Sequence, residues 1–170
     1  WDYCLINCQT RRRLYVIFGK NVYEPSEINT FAPMKTASTK IRVRYGEVDQ
    51  IGFVYYGNYA LYFEAARAEI IRDAGYAYNE MEKDGTVMPV VKMTTKYIKP
   101  ALYEDLIRIE TSFHLHTKNT FITFQHKVYN EQNDLLNIGE VTLTFMNPKI
   151  GKRVEIPEKL NVLLQKYYST

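Results

Sequence analysis

Asp49 is the residue whose type and setting ask for a chemical explanation. It lies in YGEVDQIGFVYYGNY, residues 45–59, a stretch that also holds three glycines and four tyrosines. The stretch leads from a strand-like pattern into a helix-like one. An aspartate among glycines is ordinarily an Asx-turn residue, its carboxylate bonded to backbone N–H groups two residues on. Two features point to a second use. Ile51, Phe53, Val54, Tyr55 and Tyr56 are apolar or aromatic, whereas turn loops are mostly polar. The loop also feeds a helix N-terminus, where unpaired N–H groups and the dipole favour developing negative charge. A carboxylate beside such an end suits attack on a carbonyl: the acid supplies a nucleophile or a base, and the N–H stabilises the oxyanion. Residue types alone leave both uses open.

Other chemistries find little support. His114 and His116 share one face of their strand, while His126 follows Ile122 and Phe124 on the apolar face of the next. With a two-residue turn at Lys118-Asn119, those faces are opposite sides of a sheet, so a three-histidine metal site is not expected. Cys4-x-x-x-Cys8 has no further ligands nearby and does not read as a zinc site. The chain has no phosphate-binding glycine motif, and none of Ser26, Ser38, Ser112 and Ser169 stands in a nucleophile elbow. Arg11 to Arg13 reads as a solvated basic run.

The elements that must position Asp49 can be read from periodicity. Ile41, Val43 and Tyr45 alternate with Arg42 and Arg44, the pattern of a half-buried strand. NYALYFEAARAEIIRDAGY predicts a helix of about 16 to 18 residues, with Asn58 as N-cap and Gly75 just past its end. Leu61, Ala65, Ile70 and Ala74, with Tyr62, Phe63, Ala66 and Ile71, make a wide apolar stripe, so the helix is expected to be largely enclosed. Tyr78 to Lys83 is a shorter, more polar piece ending at the turn Asp84-Gly85. Four long strand patterns follow, over 87–98, 106–116, 120–130 and 135–147, the last three separated by hairpin turns. Pro157 to Tyr167 predicts a short helix with Leu160, Leu163 and Leu164 on one face. Strands and helices segregated in this way predict an α+β fold, one antiparallel meander wrapped against one helix.

The chain has 170 residues, 46% hydrophobic and 24% charged, which is one globular domain's worth. Its 22 basic and 19 acidic residues leave a net charge of +3, too weak a footprint for a dedicated nucleic-acid binder. No apolar run is long enough to span a bilayer, so no membrane partner is expected. Two cysteines cannot form a disulfide framework, which makes a cytoplasmic setting the default. Residues 1–33 lack the regularity that begins at Met34, so they are read as an N-terminal extension, either non-native, disordered, or an ordered arm packed on the domain at 34–170.

The run YGEVDQIGFVYYGNYALYFEAARAEII resembles the opening motif of the hotdog-fold acyl-CoA thioesterases of the 4-hydroxybenzoyl-CoA thioesterase type. There an Asp is followed three residues later by Gly, then by an aromatic-rich turn and a helix bearing Glu and Arg. VVKMTTKYIKPALYEDLIRIET resembles the second block, with Tyr97, Pro100 and Asp105 at the family spacing, and TKNTFITFQHKVYN fits the next. The resemblance runs from about Thr39 to Asn147. It implies a hotdog fold, a long antiparallel sheet wrapped around one central helix, and hydrolysis of acyl-CoA thioesters.

By the same resemblance Asp49 is the catalytic carboxylate, as nucleophile forming a mixed anhydride or as general base for water. The backbone N–H of Tyr56 would polarise the thioester carbonyl, and Gly52 would allow close backbone approach. Many relatives carry His where this chain has Tyr56, so the implied role is the backbone's and not an imidazole's. Tyr45, Phe53, Asn58, Tyr59, Glu64 and Arg67 are the implied substrate-binding candidates, although Glu64 and Arg67, three apart on a helix, equally suit an ion pair. Lys92, Lys96 and Lys99 are weaker candidates for the CoA phosphates. No metal or redox cofactor is implied, CoA being part of the substrate. The family pairs two sheets edge to edge with sites between subunits, which implies a homodimer at minimum and a homotetramer beyond it. Two other readings stand beside this one: hydrolysis of acyl-carrier-protein thioesters, and a non-catalytic acyl-CoA binding or sensing module.

Overall fold

The computed structural model describes residues 14–16, 36–116 and 119–169. Cys4, Cys8, the arginine run, Met34 and Lys118 lie outside the described residues. The strands are β1 (Leu14–Val16), β2 (Ala37–Arg42), β3 (Val90–Tyr97), β4 (Leu106–Leu115), β5 (Phe121–Tyr129), β6 (Leu135–Asn147) and β7 (Lys152–Val154). The helices are α1 (Tyr59–Asp73), α2 (Tyr78–Lys83) and α3 (Glu158–Ser169). The strands form one antiparallel sheet in the order β1-β3-β6-β5-β4-β2, with β7 also on β6. The sheet curls around α1, which is the hotdog arrangement within an α+β fold.

Only part of the expected meander is a meander. β4, β5 and β6 are hairpin neighbours, with Thr111 opposite His126 and Phe124 opposite Val141. β3 does not pair with β4. It lies beside β6, Thr94 opposite Glu140, while β2 closes the other side against β4. The periodicity of a strand identifies its buried face but not its neighbour, so this order was not legible.

α1 buries Tyr59, Tyr62, Phe63, Ala66, Arg67, Ile70 and Ile71, and leaves Leu61 and Glu64 exposed. The buried stripe is therefore one position off the expected one at its start, and the helix keeps a solvent face. Its C-terminus follows the reading closely. Gly75, at φ 95°, donates to the Arg72 carbonyl, and the Tyr76 N–H reaches back to Ile71, a Schellman closure. Gly139 of β6 lets the sheet close on the helix, since a Cβ there would collide with the Phe63 ring. α3 seals the same core with Leu160 and Leu164.

β2 alternates as expected but ends at Arg42. Val43 is buried, and the chain then turns through a short 3-10 segment at Tyr45–Glu47. Tyr45 consequently leaves the buried face and is 79% exposed, contrary to the alternation read through it.

Candidate active site

Residues 47–55 fold back on themselves as a small hairpin. The Asp49 N–H donates to the Phe53 carbonyl at 2.8 Å and the Tyr55 N–H to the Glu47 carbonyl at 2.9 Å, with Val48 bridged to Val54 between them. Asp49 and Gly52 close the tip: the Gly52 N–H donates to the Asp49 carbonyl at 3.0 Å. Gly52 stands at φ 80°, a left-handed conformation that glycine adopts without a Cβ penalty. No described atom lies within 4 Å of where its Cβ would sit, so within the chain conformation, not crowding, calls for glycine there.

The Asx turn does form. Asp49 Oδ1 accepts from the Ile51 N–H at 3.0 Å and the Phe53 N–H at 3.3 Å. This orients the carboxylate and leaves Oδ2 without a partner among the described residues. Asp49 is exposed at the hairpin tip. The structural use of this aspartate through Oδ1 therefore leaves Oδ2 available for a chemical one.

After the hairpin the chain passes through a second 3-10 turn, Tyr56–Asn58, and enters α1. Among the described residues no acceptor meets the N–H of Tyr56 or of Gly57. Asn58 does not cap α1 with its side chain. Its Nδ2 instead donates to the Glu47 carbonyl at 2.7 Å, tying the helix entry to the base of the hairpin. The Tyr97 hydroxyl of β3 donates to the Tyr56 carbonyl at 3.1 Å, and its ring stands edge-on to Tyr59 at 5.4 Å. The hairpin also docks on the segment before β4 through Val54 N–H to Ala101 O, 2.9 Å. That segment is held by Asp105, whose Oδ2 accepts from the Leu102 N–H at 2.8 Å.

Beneath the hairpin lies a buried carboxylate, Glu47, 6% exposed. It accepts from the Arg44 N–H and Nε, each at 2.8 Å, from Arg44 Nη2, and from the Tyr62 hydroxyl at 2.8 Å. Burial pushes its pKa up, but the hydrogen bonds from Arg44 and Tyr62 and the Arg44 charge outweigh that, holding it below the ordinary carboxylate value. Tyr62 is shifted far upward, by burial first and then by its bond to Glu47, so it remains a donor.

Around this arrangement the surface is apolar. Ile51 and Leu61, the rings of Tyr55 and Tyr56 (centroids 4.4 Å apart), and the edge-on pair Tyr45–Tyr103 (5.6 Å) are all exposed.

A sequence model described as the Thioesterase-like superfamily matches residues 43–164, from the end of the first long strand to the last helix. The chain belongs to the Thioesterase-like superfamily. Among relatives, YneP of Bacillus subtilis (strain 168) is 36% identical over 103 residues, 60% of this chain and 73% of that protein. The acyl-CoA thioester hydrolase YbgC of Escherichia coli O6:H1 is 29% identical over 120 residues, 71% of this chain and 89% of that one. Among solved structures, the DHNA-CoA thioesterase of Staphylococcus aureus superposes with a TM-score of 0.73 at 27% identity, covering 78% of this chain and 90% of that one.

The region matched to the Thioesterase-like superfamily contains the hairpin, the helix entry and the residues that brace them. Asp49, Gly52, Phe53, Tyr56 and Asn58 come together there, with Tyr45 at its rim. Tyr59 is buried at the first turn of α1, its phenol pushed up to about 12 by burial. Glu64 and Arg67 lie farther along α1, roughly 8 and 12 Å from Tyr59 at 1.5 Å per residue. Arg67 is buried, its Nη2 lying 3.5 Å from Glu64, which is the intrahelical pair. Lys99 pairs with Asp134 at 2.7 Å. The histidines divide between the two faces of the sheet as expected, and among the described residues no three His, Cys, Asp or Glu side chains are grouped to hold a metal.

Sequence reading missed Glu47 and the hydroxyl of Tyr62. The available signal was Arg44-x-x-Glu47, an oppositely charged pair three apart immediately before the aspartate.

Proposed function

We propose that this member of the Thioesterase-like superfamily is an acyl-CoA thioesterase of the 4-hydroxybenzoyl-CoA type, with Asp49 as the reacting carboxylate. One observation carries the reading: among the described residues Asp49 is oriented through Oδ1 with no partner on Oδ2, and the same short hairpin leads directly to helix-entry N–H groups that no described acceptor meets. A thioester carbonyl oxygen on the Tyr56 N–H would gain charge where the helix end favours it. One such donor is worth about 10²–10³ in rate. Oδ2 then adds to the carbonyl carbon, the C–S bond breaks, CoA leaves as thiolate and takes a proton, and water hydrolyses the acyl–aspartyl anhydride. In the alternative course Oδ2 takes a proton from water as that water attacks. The apolar surface about the site is the kind that a second copy of the chain covers, which supports a homodimer with the acyl group held between subunits.

The test is release of CoA thiol from short-chain, long-chain and aromatic acyl-CoAs by the wild type and Asp49→Asn. Turnover should fall by about 10³-fold or more in the variant, with unchanged sedimentation. A wild type inert on every ester removes the hydrolase reading. Single turnover in ¹⁸O-water identifies a nucleophilic course in which water attacks the aspartyl carbonyl of the anhydride: the first product acid takes its new oxygen from Asp49 and is unlabelled, and the label enters Asp49.

A further inference from the structure

Two side chains, Asn58 at the entry of α1 and Tyr62 within it, reach back to the hairpin bearing Asp49, and both bond the same residue; the Asn58 N–H adds a tie to the Tyr55 carbonyl at 2.9 Å. The Glu47 carboxylate accepts from the Tyr62 hydroxyl, one turn into α1, at 2.8 Å. The Glu47 carbonyl accepts from Asn58 Nδ2 at 2.7 Å and from the Tyr55 N–H at 2.9 Å. Arg44, on the other side, supplies three more donors. Side chain and backbone of Glu47 thus link the chain before the hairpin, its far strand, the helix entry and the helix itself. Asp49 is two residues away, exposed, and its own side chain bonds only within the hairpin.

We infer that Glu47 is a positioning residue: with Tyr62 it staples the Asp49 hairpin to α1 and so sets the carboxylate against the N–H groups of the helix entry. The inference rests on the hydrolase reading for its kinetic consequence, but not for its structural one. Rigid placement of a reacting group within a fraction of an ångström is what such bonds contribute, because small misplacements cost rate more than they cost binding. A phenol was needed at Tyr62 rather than a phenyl ring, since Arg44 alone leaves the carboxylate tied to the exposed side and not to the helix.

Tyr62→Phe tests this, because it removes the staple while leaving the ring in the core. Tyr76→Phe is the control. The Tyr76 hydroxyl bonds Asp84 at 2.6 Å, beyond the opposite end of α1, so its loss also deletes a tyrosine–carboxylate bond. Two readouts are required: kcat and KM on an acyl-CoA that the wild type hydrolyses, and amide hydrogen exchange at Ile51 and Phe53, the donors to Asp49. Tyr62→Phe should lower kcat about tenfold with KM within twofold, and should speed exchange at Ile51 and Phe53. Tyr76→Phe should lower Tm comparably and change neither readout. Unchanged exchange in Tyr62→Phe, or equal losses of kcat in the two variants, overturns the inference. If the wild type hydrolyses nothing, the hydrolase reading fails, while exchange at Ile51 and Phe53 still decides whether Glu47 holds the hairpin.

Discussion

Two buried polar clusters lie along α1, and they are built in opposite ways. At the entry, Glu47 meets four donor groups and Tyr62 points its hydroxyl at the carboxylate. In the middle of the helix Arg67, Tyr78 and His126 are also buried or largely so, yet each keeps an orphan. Arg67 Nε, the Tyr78 hydroxyl and His126 Nε2 have no hydrogen-bond partner in the described chain. His126 is stacked on Phe63, ring centroids 4.5 Å apart, and only its Nδ1 is engaged, with Thr111 at 2.9 Å. Burial, then the Arg67 charge, pushes its pKa down to about 3. Burial raises the Tyr78 phenol, and Arg67 partly offsets this, by its charge first and then by a guanidinium approach that falls short of hydrogen-bond geometry.

The difference separates geometry from bulk. A satisfied buried network fixes positions, because every member loses a partner if any member moves. An orphaned buried group adds size and hydrophobic contact but costs about 1–3 kcal/mol for its unmade bond. The cluster next to Asp49 is the satisfied one. The cluster in mid-helix carries the cost instead, away from the hairpin.

The largest expected effect on stability breaks the satisfied cluster. Glu47→Ala strands the buried Tyr62 hydroxyl, while water takes up the exposed Arg44 guanidinium, and should destabilise the fold by roughly 2–3 kcal/mol in denaturant titration at pH 7. Glu47 has its pKa lowered on folding, so this contribution is complete above its ordinary value of 4.5 and fades as pH falls below it. The wild type and the variant should therefore converge in acid. A gap that stays constant down to pH 3 would show that charge on Glu47 is irrelevant.

His126→Phe probes the other cluster and should act in the opposite direction. Native His126 stays neutral, whereas the unfolded histidine binds a proton below about 6.5. The unfolded state then holds more protons, so the wild type should lose stability as pH falls from about 6.5 toward 3, at up to about 1.4 kcal/mol per pH unit from this group. The variant lacks that slope; it removes the orphan at Nε2 but strands the buried Thr111 hydroxyl, so the two nearly offset and its stability relative to the wild type should rise steadily as pH falls from about 6.5. Parallel stability curves for the two proteins between pH 7 and 4 would refute the buried neutral histidine.

The smallest effects give the sharpest contrast, since they delete the same atom from each cluster. Tyr62→Phe should cost about 1.5 kcal/mol, because its hydroxyl bonds a charged group that keeps its Arg44 donors. Tyr78→Phe removes an orphan hydroxyl and should be neutral or stabilising by a few tenths of a kcal/mol. Equal Tm changes in the two variants would erase the distinction between the clusters.

Much of this architecture was legible in the chain. The strand pattern over 135–147 coincides with β6, the pattern over 106–116 runs one residue past the end of β4, and the pattern over 120–130 exceeds β5 by one residue at each end. Gly75 marked the end of α1 because a left-handed residue there has few alternatives to glycine. The misreadings have physical causes. Leu61 belongs to the apolar stripe by type, but the helix rotates it to the surface. Alternation carries Tyr45 past the point where the strand stops. Glu47 gives no sign of its burial, because a glutamate three residues from an arginine usually forms a solvated pair. Its burial depends on Tyr62, which only folding brings over it.

By itself the sequence determined the α+β class, the single central helix, and the aspartate–glycine turn loop leading into it, because periodicity and turn chemistry are local properties. It also determined membership in the Thioesterase-like superfamily, since motif order and spacing survive in the chain. Tertiary structure alone decided that β3 lies against β6, that Glu47 is buried and saturated while Arg67 and His126 are buried and not, and that Asp49, among the described residues, presents one bound and one unpartnered oxygen. Each of these depends on contacts between segments distant in the chain or on the direction of a single lone pair, and no pattern of residue types carries either.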